Sequence, residues 1–252
     1  MKTYIPSPKD TQIKEKKRQR NSHFQFKQFR IEQDLCGMKV STVSCIFGAW
    51  VSQHIPHKMN VLDIGAGTGL LSLIYAQENP LAIIDAIELE KEASMQCIEN
   101  FKNSKWCERL QCINMALESF KSNKKYDLII CNPPFFVYQN TTESSKRNIA
   151  RGHSNIFSFF DYFPYFTSPY TIISLLLSPV NFEKICMYWK NLRWNITNLI
   201  KIANTEKALP FAYIVVLEKN QKCKINIEDL IIYVNKGKYT TNIQRLLSQF
   251  YL

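Results

Sequence analysis

Asp127-Leu128-Ile129-Ile130-Cys131-Asn132-Pro133-Pro134-Phe135-Phe136 joins a short apolar run to an Asn-Pro-Pro-aromatic turn. Neither proline donates a backbone hydrogen bond, and each restricts both its own φ and the residue before it. The run is therefore predicted to be a buried strand that stops at Asn132. Beyond it a rigid turn holds the Asn132 amide, the free Pro133 carbonyl, the Pro134 ring and the Phe135 face together. Two acceptors beside an aromatic surface suit a flat group bearing N–H bonds. Asp127 begins the strand, too far from the turn to serve it as a base.

A second constellation lies upstream. Asn60-Val61-Leu62-Asp63-Ile64-Gly65-Ala66-Gly67-Thr68-Gly69-Leu70-Leu71 reads as a strand, a glycine turn and the start of a helix. This is the layout of a nucleotide-binding first βα unit, in which glycines let backbone approach a ligand at a helix N-terminus. The details argue against phosphate, because no Gly-Lys-Ser/Thr follows and Asp63 would repel a pyrophosphate. An acid there fits the cationic amino-acid end of S-adenosylmethionine, directly or through water. Ala82 to Glu88 reads as the next strand, and Glu88 stands 25 residues after Asp63. An acid ending the second strand can accept from both hydroxyls of a ribose. Asp85 lies within that strand and is a poorer ribose ligand.

With such a donor, the flat group at Asn132 becomes a methyl acceptor. An amine conjugated to a purine is a weak nucleophile until its nitrogen loses planarity. Hydrogen bonds from its two N–H groups to Asn132 Oδ1 and the Pro133 carbonyl favour that change, and they strengthen as charge develops. Phe135 would stack on the base, which must leave its own stack to arrive.

The elements around these sites follow from periodicity. Phe24, Phe26 and Phe29 alternate as in a hairpin. Met38 to Trp50 repeats its apolar residues at three- and four-residue intervals, predicting an amphipathic helix that Ser41-Thr42 could cap. Lys39 and Ser41-Thr42 could face the cofactor pocket; the plainer reading is a lid helix packed on the next domain. Arg109 to Asn114 and Tyr126 to Cys131 read as the third and fourth strands. Later segments predict a helix over Phe157 to Phe166 and strands at Thr171–Leu177, Leu199–Ala203 and Phe211–Leu217. A helix near Phe182 to Lys190, a short strand at Leu230 to Val234 and a C-terminal amphipathic helix complete the list. Strands alternating with helices imply an α/β, Rossmann-like fold with a mainly parallel sheet of seven strands and an antiparallel edge hairpin. Residues 1–22 read as a basic flexible tail, 23–57 as an N-terminal lid extension, and 23–252 as one domain.

The bulk numbers narrow the class. Lys and Arg number 32 against 21 acids, a formal net charge of +11, which favours a polyanionic partner, although biased composition alone could produce it. The polar stretch from Tyr138 to Asn155 carries Lys146, Arg147 and Arg151, well sited behind the turn to hold RNA phosphates. No apolar run approaches the ~18 residues of a membrane span, and no signal peptide is visible, so a cytoplasmic monomer is expected. The eight cysteines form no CxxC pair and sit mostly in apolar runs, predicting buried reduced thiols and no metal.

Asp63-Ile-Gly-Ala-Gly-Thr-Gly, Glu88 and Asn132-Pro-Pro-Phe resemble the class I S-adenosylmethionine-dependent methyltransferases that act on amino or amide nitrogens. Phe26-Lys-Gln-Phe, Met38-Lys-Val-Ser-Thr, Gly48-Ala-Trp, Ile87-Glu-Leu-Glu and Phe250-Tyr-Leu narrow this to one family. From Phe24 to Leu252 the chain resembles the bacterial tRNA(Val) adenine-37 N6-methyltransferases. The resemblance implies a tRNA substrate, presented as a single-stranded anticodon loop, and methylation at N6 of the adenine 3′ of the anticodon. It places the donor at Asp63, Gly65, Ala66, Gly67, Gly69, Glu88, Leu89 and Asn132, and the target at Asn132 to Phe135. Two departures stand out: Ala116 and Val43 occupy positions where relatives often carry an acid. The turn alone also fits a guanine-N2 rRNA methyltransferase or a glutamine-N5 release-factor methyltransferase. A non-catalytic RNA-binding module that kept the fold is the reading outside enzymology.

Overall fold

The structure, a computed structural model, describes residues 22–133, 161–189, 194–219 and 224–251. The basic segment 1–21 and the predicted site residues Pro134, Phe135, Lys146, Arg147 and Arg151 lie outside the described residues. An N-terminal hairpin, β1 (His23–Gln25) and β2 (Arg30–Glu32), precedes helix α1 (Thr42–His54), capped as predicted by the Ser41 side chain. There follow β3 (Asn60–Ile64), α2 (Leu70–Glu78), β4 (Ile83–Glu88), α3 (Lys91–Lys102), β5 (Leu110–Asn114) and β6 (Tyr126–Cys131). The later strands are β7 (Thr167–Leu177), β8 (Trp194–Ala203), β9 (Ala212–Lys219) and β10 (Asn226–Ile231). A small hairpin, β11 (Tyr233–Asn235) and β12 (Lys238–Tyr239), leads into the C-terminal helix Thr241–Leu247.

The main sheet runs β10-β8-β9-β7-β6-β3-β4-β5, with β9 antiparallel to both its neighbours and every other pairing parallel. It has eight strands rather than the seven counted from sequence. The additional strand is β10, which starts upstream of the predicted Leu230 and pairs in parallel with β8. Most of its residues are exposed, so Asn-Ile-Glu-Asp lacks the apolar signature by which buried strands are read. The antiparallel pair β8 and β9 exists as expected but lies inside the sheet, because β10 covers it. Of the predicted helix at Phe157 to Phe166, the described part is a single turn, Phe163–Phe166, and β7 begins directly after it.

Each sheet face packs its own core. Val61, Ile84, Ala86, Leu128 and Ile130 face α1, α2 and the C-terminal helix. Leu62, Ile64, Ile87, Ile129 and Cys131 face the opposite way, toward Phe163, Phe166 and Ile185. This is the period-two alternation of strands covered on both sides. The described cysteines are free; Cys45, Cys97 and Cys131 are buried, whereas Cys107 is exposed, contrary to the expectation of burial.

One amide ties the N-terminal extension to the rest. Asn100 on α3 accepts from the Glu32 N–H at 2.9 Å and donates to the Glu32 carbonyl at 3.0 Å and the Thr68 carbonyl at 2.9 Å. It is buried, so removing it strands three backbone groups. Leaving a buried polar group unpaired costs about 1–3 kcal/mol. Asn100→Ala is expected to lower stability by about 3 kcal/mol in denaturant unfolding, with amide exchange at Glu32 accelerating before the sheet opens. Unchanged exchange at Glu32 would show that the clip is dispensable.

Candidate active site

The site is placed by strand register. Ile64 of β3 pairs with Ile87 of β4 on one side and Cys131 of β6 on the other. Gly65, Glu88 and Asn132 therefore leave the sheet side by side at its carboxyl edge, at strand spacings of about 4.8 Å. Alternation also fixes their direction. Asp63 follows Val61, Glu88 follows Ala86 and Asn132 follows Ile130, all toward the α1 side of the sheet.

The glycine turn is held by the second strand. The Ile87 carbonyl accepts from the Gly65 and Ala66 N–H groups at 2.9 and 3.1 Å. Glu88 Oε2 accepts from the Gly67 N–H at 2.7 Å, and its Oε1 from the Glu90 N–H at 2.9 Å. Glu88 thus clamps two turns together while keeping further lone pairs for a ligand. Gly65 and Gly67 adopt φ of +70° and +56°, and an added Cβ at either would meet nothing within 4 Å. Their open faces leave room for a ligand against the backbone. Gly69 differs: at φ +80°, a Cβ would run into the Phe101 ring and lie 2.9 Å from Cys97 Sγ. Its missing side chain serves helix packing. Leu89, 44% exposed, stands at the mouth of this turn.

Asp63 is fully buried. Its Oδ2 accepts from the Ser72 hydroxyl at 2.7 Å and the Ser72 N–H at 3.2 Å, while Oδ1 has no partner. Burial pushes its carboxyl up to about 6; the Ser72 bonds oppose that rise and the nearby Glu88 charge adds to it. A buried carboxylate with an unpartnered oxygen is an acceptor suited to a cationic group. Asp85 and Asp127 are occupied structurally. Asp85 takes the Tyr126 hydroxyl at 2.8 Å and Lys124 at 3.0 Å. Asp127 accepts from the Asn60 N–H at 2.9 Å.

Asn132 donates from Nδ2 to Ser44 Oγ at 3.3 Å, and its buried Oδ1 has no partner. Ser44 in turn lies 2.8 Å from the Ser41 hydroxyl, which also accepts the Ser44 N–H as the helix cap. In this arrangement the amide nitrogen faces α1 and the oxygen is left over. Ser44 is a site residue that sequence reading missed. Its signal was the cap itself, since a serine three residues after an N-cap serine lies at the same helix end. Lys39, two residues before that cap, sits at the same end of α1. A separate groove of about 400 Å³ lies at the other end of α1, between Trp50, His54, Lys58 and Glu218, and does not reach Asn132. Among the described residues, no group of three His, Cys, Asp or Glu side chains could hold a metal.

Comparison with known proteins gives the family. The family called "Methyltransferase small domain" matches residues 44–156. A Dyadobacter fermentans protein named tRNA1(Val) (adenine(37)-N6)-methyltransferase is 35% identical over 246 residues, covering 92% of this chain and 98% of that protein. A Shewanella baltica protein of the same name is 36% identical over 239 residues, covering 91% of this chain and 98% of its own length. The chain belongs to the tRNA1(Val) (adenine(37)-N6)-methyltransferase family. The fold alone is shared with a solved Agrobacterium tumefaciens structure titled a "predicted O-methyltransferase", at TM-score 0.62, 12% identity, 81% coverage of this chain and 95% of that one.

The two departures from the family pattern have structural counterparts. Val43 is partly buried and packs on the core, and Ser44 beside it makes the polar link to Asn132. Asn114, two residues before Ala116, is held at the end of β5 by its amide nitrogen. Its Nδ2 donates to the Glu88 and Leu89 carbonyls at 2.9 and 3.1 Å, bracing the turn after β4.

Two measurements test this geometry. The folded carboxyl of Asp63 sits above its ordinary value, so its ionised form costs stability. That cost is absent below pH ~4, grows as pH rises, and is complete above about 6. Asp63→Asn is expected to exceed the wild type in stability by up to about 3 kcal/mol at pH 8, an advantage shrinking to nothing near pH 4. A pH-independent difference in denaturant unfolding would contradict this. For Ser44, loss of one neutral hydrogen bond predicts a kcat reduced about tenfold in Ser44→Ala, with donor affinity unchanged. The loss should vanish in an Asn132→Ala background. Additive losses would mean that Ser44 acts elsewhere.

Proposed function

We propose that this protein is an S-adenosylmethionine-dependent tRNA methyltransferase that modifies N6 of the adenine at position 37, beside the anticodon of tRNA(Val). The observation that carries the reading is the unpartnered Asn132 Oδ1, buried at the carboxyl edge next to the glycine turn and oriented by Ser44. Family membership supports the substrate.

The donor fits the residues present. Asp63 Oδ1 is an orphaned acceptor suited to an ammonium group, Gly65 and Gly67 are open, and Glu88 retains lone pairs for ribose hydroxyls. Ala66, Gly69, Leu89 and Asn132 complete the set that would hold it. S-adenosylmethionine supplies an electrophilic sulfonium methyl group when bound. Asn132 Oδ1 and the Pro133 carbonyl take the two amino hydrogens of the flipped adenine, drawing its nitrogen out of planarity and aiming its lone pair. Once the nitrogen is methylated, one of those protons leaves to solvent, so no strong base is needed. Phe135 stacks on the base beside Pro134. Lys39, Lys146, Arg147 and Arg151 contact phosphates of the anticodon arm. The protein works as a cytoplasmic monomer, with residues 23–252 forming one methyltransferase domain, 23–57 its lid and 1–22 a basic tail.

The test is methylation of bulk unmodified tRNA with labelled donor, followed by nucleoside analysis. Labelled N6-methyladenosine is expected from the wild type. Asn132→Ala should reduce it at least 100-fold, the order seen when a transition-state hydrogen-bonding group is removed. Label in N2-methylguanosine, or in protein alone, would overturn the substrate assignment.

A further inference from the structure

The polarity of the sheet brings a second set of loops to the edge that bears Asn132. β8 runs with β7 and β6, because both β8 and β7 are antiparallel to β9, and β10 runs with β8. The β8–β9 turn, residues 204–211, and the β11–β12 hairpin therefore emerge at the carboxyl edge. The two are stapled at their bases: the Ile232 N–H donates to the Ala203 carbonyl and the Tyr233 N–H to the Asn204 carbonyl, both at 2.9 Å.

The hairpin is stiff and lies close to the site. Its Tyr233 and Tyr239 rings stack at 5.1 Å and 17°. Tyr233 also lies beside Thr42, the first residue of α1, two residues before the serine that meets Asn132. From this base the tip extends only about 10 Å. At the tip, Lys236 and Lys238 are exposed around Gly237, whose φ is +81° and whose added Cβ would touch nothing within 4 Å. The neighbouring turn exposes Lys207, with Leu209 89% and Val234 of the hairpin 63% accessible. Glu206 is the one exposed acid in these two loops, so three lysines face it and the sign is positive.

We propose that these stapled loops form a second RNA-gripping surface, in which Lys207, Lys236 and Lys238 neutralise tRNA phosphates flanking the target adenine and Leu209 and Val234 rest against unstacked nucleotides. The inference rests on the tRNA reading above and adds a part of its footprint that the sequence did not single out. Lysines interleaved with exposed apolar side chains are the composition that backbone-tracking surfaces use. A solvated charged turn would need no stacked tyrosine base and no staple to its neighbour.

The experiment compares tRNA affinity across salt concentrations for the wild type, Lys236→Gln/Lys238→Gln and a control, Lys102→Gln/Lys105→Gln. The control lysines are exposed at and just beyond the C-terminal end of α3, which returns to the opposite edge of the sheet. Losing two phosphate contacts should flatten the slope of log affinity against log salt by about 1.5. KM for tRNA should rise severalfold, with kcat and donor affinity unchanged, while the control keeps the wild-type slope. An active wild type whose slope the hairpin variant shares would overturn the hairpin assignment alone. So would equal effects of hairpin and control, which indicate a diffuse field rather than a contact surface. A wild type that methylates no tRNA overturns the proposed function and this inference together.

Discussion

Three parallel strands stopping on one rung is the constraint from which the site follows. With Ile64, Ile87 and Cys131 in register, the glycine turn, Glu88 and Asn132 must emerge together, and pleating sends Asp63, Glu88 and Asn132 to the same face. A slip of one residue in any strand would turn its polar group into the opposite core and its apolar neighbour out. The register in turn is fixed by two largely apolar faces, each covered by helices, so the strength of the core is what specifies the position of the site. Asp63 Oδ1 and Asn132 Oδ1 are among six buried side-chain oxygens without partners in the described residues, and these two lie at the carboxyl edge. Each costs stability that a ligand can restore, a common arrangement in sites organised before their ligand arrives.

Helix α1 has two roles. Its buried residues from Cys45 to Val51 pack the sheet, while its first turn supplies the hydroxyl that turns the Asn132 amide. Through Asn100, the hairpin ahead of α1 is tied to the carbonyl of Thr68 in the glycine turn. The N-terminal extension is therefore bonded to the glycine turn by Asn100 and, through α1, to Asn132 by Ser44.

Much of this was legible in the sequence. β6 was read with its observed bounds because its run is apolar on both faces and Asn-Pro-Pro ends it abruptly. The glycine turn and the Ser41 cap announce themselves through residues with narrow conformational uses. Three things were hidden. β10 was read only from Leu230 and left out of the main sheet, because the exposed first half of an edge strand needs no apolar face. Ser44 escaped because its partner is distant in sequence and only the sheet brings them together. Gly69 looked like its two sister glycines, yet Phe101 and Cys97 on α3 give it a packing role. Each depends on a long-range contact that no local pattern encodes.

The charge on β10 has a consequence for how copies of the protein meet. Among the described residues it is an edge of the main sheet, with one row of backbone donors and acceptors unpaired. Such an edge templates strand addition by another chain. Here Glu228 and Asp229 lie in its middle, both exposed. A second copy adding there would set carboxylates against carboxylates and bury backbone beside them. The same two residues that deny the first half of the strand an apolar signature are of the kind that discourages edge-to-edge pairing.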